Sequence, residues 1–435
     1  MSQSSLELTV KNIIIKNTLF IDPITSIQAL GHIVIHNGRF ERFIALDQTQ
    51  PENLKDFEVL DAQGTITTPH FIDIGASLPE PGFTHKGTIA SEGKAAFFGG
   101  YATLASLPNT SPVIDSPAVF AMVQEKAKLA GQVKVLPLAA MTVGLEGKQL
   151  SEIFSLKRAG CIGFTQGRHR IEDARMLMRC LDYIATADMP VFFYPEHSQL
   201  AAGGCAHEGW IADQLGLPPI PACAETVALG RDLLLVERAG VKAHFCQISS
   251  QYSIELIQNA QAKGLPITAD ASISHLSYNE SAIDNFDSIY HLRPPLRSES
   301  DRQALLAGIQ NNVLQSISTG HRPQDLASKS APFPETEPGM ANYDIHVSEA
   351  LALIDSQQLS PLKWVQALTS GPAKILGCEL SGFQPGEIAA LNIISRDEWT
   401  VNEANCKSHG SNIPHFYENM RGKVKWRIRG CQESY

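Results

Sequence analysis

The chain has 435 residues, 43% of them hydrophobic types, so it is long enough for a large domain beside a smaller one without help from covalent staples. Its formal net charge of -10 is scattered rather than gathered in blocks, which argues against nucleic acid and anionic membrane surfaces as partners. The cysteines (Cys161, Cys180, Cys205, Cys223, Cys246, Cys378, Cys406 and Cys431) form no C-x-x-C pair and sit mostly in apolar runs, the pattern of reduced, buried thiols rather than of disulfides or a zinc ribbon.

At the N-terminus, Met1 to Lys11 shows no basic region followed by an apolar core. No later run approaches the ~18 apolar residues of a membrane span, so a cytoplasmic protein is expected. Up to about Thr68, "LTVKNIIIK", "GHIVIHNGRF" and "FEVLDAQGTITTP" alternate apolar and polar positions around Gly and Asn, predicting short strands. From His70 to about Ile375 the texture becomes apolar strand-like runs separated by helix-length segments. The runs are "HFIDIGAS", "YATLASLP", "VKVLPLAA", "CIGFTQG", "PVFFYPE", "VKAHFCQIS", "PITADAS" and "VLQSISTG". Helical patterns such as "CAETVALGRDLLLVERAG" and "YSIELIQNAQAKG" follow most of them. This alternation predicts an α/β fold, a (β/α)8 TIM-like barrel over 69–377, with any site at the C-terminal ends of its strands. A doubly wound open sheet is the alternative, but no G-x-G-x-x-G follows the first strand. Residues 324–339, rich in Ser, Pro and Glu, predict a long loop after the eighth strand. Strand texture returns in "GEIAALNIIS" and "GKVKWRIRG", so 1–68 and 378–435 are expected to build one composite domain, a small β-sandwich from both termini.

The segment "PHFIDIGASLPEPGFTHKGTIASEGKAAFFGGYATLASLPNTSPVIDS" resembles the opening of the dihydroorotase barrel, in which one strand ends in D-x-H-x-H-L-R-E-P-G and a later one in M-P-N-T. "AGCIGFTQG", "VFFYPEHSQL", "IPACAETVALGRD", "AHFCQISSQYSIELI", "LRPPLRSESDRQAL", "SISTGHRPQ" and "SNIPHF" continue the resemblance in the family's order. It implies a cyclic amidohydrolase fold, whose chemistry relies on zinc-bound water with its pKa lowered to roughly 7. The residues such a zinc needs are missing. The two strand-one histidines correspond to Gly75 and Ser77, and the bridging anion of strand four to the stretch ending in Gln166 and Gly167. The strand-five and strand-six histidines correspond to Tyr194 and Gln247, and the strand-eight aspartate base to Gly320. Among the positions the resemblance assigns to substrate, the carboxylate-binding arginine reads Pro79 and the last histidine Gln324, while Asn109 survives. His275 and Arg297 match family positions near the pocket, and Glu80, Pro81, Gly82, Pro108, Pro294 and Pro295 match its turns.

No other catalytic signature replaces these groups. The 14 histidines include no H-x-H pair, and "HEGWI" fails H-E-x-x-H at Ile211. His169 between Arg168 and Arg170 suggests a solvated basic loop, His244 a core position in phase with Cys246, and His275 and His321 lack a nameable carboxylate partner. There is no G-x-S-x-G elbow. Tyr194 and Gln247 are expected to fill and hydrogen-bond the emptied space.

The sequence thus predicts a non-catalytic member of the dihydroorotase family, without zinc or other cofactor. The resemblance extends to a bacterial group that partners aspartate carbamoyltransferase in pyrimidine biosynthesis, and it implies that partner and an oligomeric assembly. The competing reading is an active dihydroorotase, or another cyclic amidohydrolase, with a metal held in an unfamiliar way.

Overall fold

The computed structural model describes residues 6–48 and 56–431; residues 1–5, 49–55 and 432–435 of the expected terminal domain lie outside that description. The barrel strands are Phe71–Ala76, Tyr101–Ser106, Lys134–Pro137 continued by Ala139–Ala140, Phe164–Thr165, Val191–Phe193, Ala243–Phe245, Ile267–Ser272 and Ser316–Ser318. They run parallel, each in register with the next. The break in the third strand is bridged by Leu138 N to Ser106 O at 2.9 Å and Ala139 N to Gly163 O at 3.0 Å. The first and eighth strands are tied by Ser77 N to His321 O at 3.1 Å and Thr319 N to Asp73 Oδ1 at 2.9 Å. Each of the eight apolar runs read from the sequence holds one barrel strand.

The strands are short and buried on both faces, as in Val191–Phe193, because helices cover the outside and side chains fill the inside. Helix Ala174–Thr186 shows how the cover is encoded. Asp173 caps it by accepting from Arg175 N and Met176 N, and Met176, Leu177, Cys180, Leu181 and Ile184 make one buried stripe against the strands. Helix Cys223–Ala239 ends at Gly240 in the left-handed region (φ 66°), where glycine pays no steric penalty. No helix among the described residues is long and apolar enough to cross a membrane.

Eight further strands (Glu7–Val10, Ile13–Asp22, Ile27–His36, Arg39–Ala45, Glu58–Asp61, Ile66–Pro69, Ala390–Thr400 and Asn419–Gly430) join in one mixed sheet. Its core of Ile13, Ile15, Phe20, Ile33, Ile35, Leu391, Ile393 and Ile428 is separate from the barrel's. The two ends of the chain meet where Leu391 pairs with Pro69 and Ile394 with Ile66. Asn37 and Gly38, both at positive φ (51° and 73°), turn the hairpin between Ile27–His36 and Arg39–Ala45, the geometry an Asn-Gly pair adopts most readily.

After the eighth strand, residues 324–339 form a loop with only short helical turns at Leu326–Lys329 and Phe333–Glu335. Gln324 Nε2 to Pro338 O at 3.1 Å and His291 Nδ1 to Thr336 Oγ1 at 2.7 Å hold it against the barrel mouth.

Candidate ligand pocket at the barrel mouth

The C-terminal ends of the strands surround a cavity of about 100 Å³. Seven of the positions that the resemblance places at metal or substrate line it: Gly75, Ser77, Asn109, Tyr194, Gln247, His275 and Gly320. Gly75 sits at φ +79°, and a Cβ added there would lie 2.1 Å from Tyr194 Oη. The tyrosine follows strand Val191–Phe193 directly, and its hydroxyl fills the space that a side chain at Gly75 would need. Gly320 is also left-handed (φ +62°), and its Cβ would meet Ser272 Cβ at 3.0 Å.

Gln247 is held by its backbone N–H on Asp270 Oδ1 at 3.1 Å, while its side-chain oxygen accepts from Arg168 Nη2. The Arg168 guanidinium lies over the Tyr194 ring, 5.1 Å from its centroid. Tyr194 departs from the expected hydrogen-bonded filler. Among the described residues its hydroxyl finds no oxygen or nitrogen partner, and its polar neighbour is the Cys246 thiol. Burial, then the Cys246 and Asp270 charges, push the phenol well above its usual pKa. His275 accepts from Ser272 Oγ at Nδ1 (2.7 Å) and donates from Nε2 to Pro294 O (3.1 Å). Burial first, then Arg297 and Arg168, bring its pKa to about 4, so it is neutral at pH 7.

The other four sequence candidates stand away from the cavity. Gln166 is buried to one side, with Nε2 on Thr142 Oγ1 at 2.7 Å, and lines a smaller neighbouring space with Arg170 and Asp232. Arg297 turns inward to Ser249 Oγ at 2.8 Å, and Glu225, 3.8 Å away, takes the Ser249 and Ser250 N–H groups at 3.1 Å. It stabilises a turn. Gln324 is committed to the loop through Asn412 Oδ1 (2.8 Å to its N–H) and Pro338 O. Pro79 serves a turn, its carbonyl accepting Phe83 N at 2.9 Å.

Two expectations are corrected. Of the expected solvated basic loop only His169 is exposed: Arg168 lines the cavity, and the Arg170 side chain, 9% exposed, reaches Asp232 Oδ2 and Tyr194 O, each at 3.4 Å. His321 does have a carboxylate partner, Glu92 Oε2 at 2.8 Å, and both side chains are fully buried. Glu92 lies in helix Ile89–Phe98, 229 positions earlier, so no local pattern could reveal the pair. His244 likewise meets Asp270 Oδ2 at 2.9 Å.

Residues 64–253 match the family model described as Dihydro-orotase-like. The chain is 38% identical over 414 residues to a dihydroorotase-like protein of Pseudomonas aeruginosa, covering 95% of this chain and 97% of that one. It is 33% identical over 413 residues to a dihydroorotase of Syntrophus aciditrophicus, covering 95% and 96%. This chain belongs to the dihydroorotase-like family. Among solved structures, an L-hydantoinase (dihydropyrimidinase) from Arthrobacter aurescens superposes with a TM-score of 0.79 at 20% identity, covering 95% of this chain and 94% of that one. A dihydropyrimidinase from Brevibacillus agri gives 0.73 at 19%, covering 95% and 92%. These two share the fold.

In the dihydroorotase-like frame, zinc would be expected at the strand ends, and the residues there do not fit it. Gly75 offers no ligand atom, its side-chain direction is taken by Tyr194, and Gln247 and Gly320 offer neither imidazole nor carboxylate. Among the described residues one other grouping could hold a metal, His244, Cys246 and Asp270, whose ligand atoms lie within 4.8 Å of one another. His244 and Cys246 are buried as expected of core positions, and Asp270, which carries no signal in the sequence, is buried beside them. The imidazole nitrogens and the carboxylate already have partners: His244 Nδ1 meets Thr268 Oγ1 at 2.8 Å, and Asp270 Oδ1 accepts from Ser318 Oγ at 2.6 Å besides Gln247 N. Burial first, then the Asp270 charge, raise the Cys246 thiol well above its usual pKa, away from the thiolate a metal would need.

Proposed function

We propose that this dihydroorotase-like chain is non-catalytic and serves pyrimidine biosynthesis as a structural or regulatory partner of aspartate carbamoyltransferase, in a cytoplasmic oligomer. One observation carries the non-catalytic reading: the Tyr194 hydroxyl fills the place of any side chain at Gly75, so the first-strand ligand and the fifth-strand ligand are lost together. Two Pseudomonas relatives bear the name dihydroorotase-like protein rather than dihydroorotase, in keeping with this reading. The partner comes from the family resemblance alone.

The test is metal analysis and a dihydroorotase assay in both directions on purified protein, then co-expression with the carbamoyltransferase of the same organism. No stoichiometric zinc and no turnover are expected. A complex burying at least about 1,200 Å² should survive size-exclusion chromatography at micromolar concentration. Turnover near the usual enzyme range of about 1–1000 per second would overturn the non-catalytic reading. Separate elution, with a transferase equally active and stable alone, would overturn the partner.

The buried His244, Cys246 and Asp270 grouping favours one second reading, a cyclic amidohydrolase with a displaced metal. About one zinc per chain, lost in His244→Ala, would support it.

A further inference from the structure

The barrel-mouth cavity carries positive charge that its surroundings do not cancel. Arg168, Arg293 and Arg322 line it, and no aspartate or glutamate does among the described residues. Arg293 is neutralised by Glu196 through two hydrogen bonds of 2.8 and 2.9 Å. Arg168 makes its hydrogen bond and ring contact to neutral groups, the Gln247 amide and the Tyr194 ring, and the one carboxylate that attracts it, Glu196, is already bound to Arg293. The Arg322 guanidinium has no hydrogen-bond or ion-pair partner among the described residues; its stem packs on Gly339, and only the exposed Glu337 attracts it from a distance. The histidines leave this balance unchanged, since His275 is neutral, His321 is paired with Glu92, and burial and Arg322 push His169 below its ordinary pKa. Burial, then Arg168, pull the Arg322 pKa down to about 10, which agrees with guanidinium charges facing one another.

Two neutral donors complete the lining. Ser77 and Asn109 face the same space, and neither side chain has a hydrogen-bond partner among the described residues. Two guanidinium groups without an ion-pair partner among the described residues, in a partly buried space, are costly, and an anion bound between them recovers that cost. The planar fork of arginine suits an oxygen pair of a carboxylate or phosphate. At about 100 Å³, against roughly 10–15 Å³ for a water, the cavity has room for a small oxyanion but not for a nucleotide.

We propose that the barrel mouth is a binding site for a small carboxylate or phosphate oxyanion, held between Arg168 and Arg322 with Ser77 and Asn109 as neutral donors. It shares only Asn109 with the positions that the family resemblance assigns to a substrate carboxylate, since Pro79 and Gln324 stand outside it. It depends neither on the carbamoyltransferase nor on the absence of turnover.

The test is isothermal titration calorimetry of the full chain at pH 7 in low-chloride buffer, with inorganic phosphate and malonate titrated separately. One site per chain is expected for at least one of them, and the anion that binds identifies the oxyanion class. Arg322→Gln should weaken binding about tenfold or more, the factor one charge-assisted hydrogen bond supplies. Glu196→Gln should tighten it by releasing Arg293, an effect that a merely structural arginine cluster would not produce. No saturable binding of either anion up to ~10 mM, or equal affinity in wild type and Arg322→Gln, would overturn the proposal. Should Arg322→Gln fail to fold, Glu196→Gln decides, and unchanged or weaker binding in it overturns the site.

Discussion

The Tyr194 hydroxyl oxygen stands 2.1 Å from where a Cβ would stand on Gly75, so the two residues are sterically coupled across the barrel mouth. A glycine at φ +79° already favours no other residue, and the tyrosine adds a second barrier. The ring is held in place by the Arg168 guanidinium above it and by burial.

Gly75→Ala is therefore expected to destabilise the chain by about 2–4 kcal/mol, combining the left-handed backbone cost with the contact to Tyr194. Tyr194→Phe alone should stay within about 1 kcal/mol of wild type, because the hydroxyl it removes has no oxygen or nitrogen partner among the described residues. In the Gly75→Ala background it should restore part of the loss. Urea denaturation of the four proteins measures the coupling, and strict additivity would refute the contact.

Introducing Gly75→His and Ser77→His together should restore neither zinc binding nor hydrolysis. The first imidazole collides with Tyr194, and no ligand appears at Gln247 or Gly320. Groups that act as a unit fail as a unit. Metal analysis and a dihydroorotate assay of the double variant check this, and zinc-dependent turnover would mean that the site has been misplaced.

The buried Glu92–His321 pair should make stability pH-dependent on the acid side. Burial alone would raise the Glu92 pKa, but the hydrogen bond and charge of His321, with Ser408 and Ser91, outweigh it and hold the carboxyl below its usual 4.5. A depressed carboxyl contributes stability that is full above its unfolded pKa and fades as pH falls through the folded value. Glu92→Gln should cost about 3 kcal/mol at pH 7 and progressively less below pH ~4. Denaturation midpoints from pH 3 to 7 test this, and a gap independent of pH would count against it.

Glu349 should act in the opposite sense. Among the described residues its buried carboxylate oxygens have no hydrogen-bond partner, the nearby Tyr278 hydroxyl being engaged with His415 Nε2 at 2.8 Å, and burial, offset only in part by that hydroxyl, pushes its pKa up to about 7. The folded state then binds a proton that the unfolded state releases, so stability falls as pH rises from about 4.5 to 7 and levels off above. Glu349→Gln should match wild type near pH 4 and exceed it by up to ~3 kcal/mol at pH 8. A variant less stable than wild type at pH 8 would show that the ionised carboxylate has a partner after all.

Repeating apolar runs and turn residues determined much of this protein by themselves. The eight barrel strands, the β unit drawn from both ends and the Asn37–Gly38 hairpin follow from periodicity and backbone preference, which are local properties of the chain. That Gly75, Ser77, Tyr194, Gln247 and Gly320 stand where metal ligands would be expected came from the family resemblance, since composition alone does not mark a position as a ligand site. Which side chains face the mouth was decided only by tertiary structure. Arg168 and Arg170 are two residues apart and of one type, yet one enters the cavity and the other pairs with Asp232, because the turn after Phe164–Thr165 sends them to different neighbours. Glu92 and His321, or His244 and Asp270, meet only when distant strands and helices close the barrel. Charge compensation depends on three-dimensional distance, which sequence spacing does not encode, so the unpaired charge of Arg322 became visible only once the loop of residues 324–339 had been placed over the pocket.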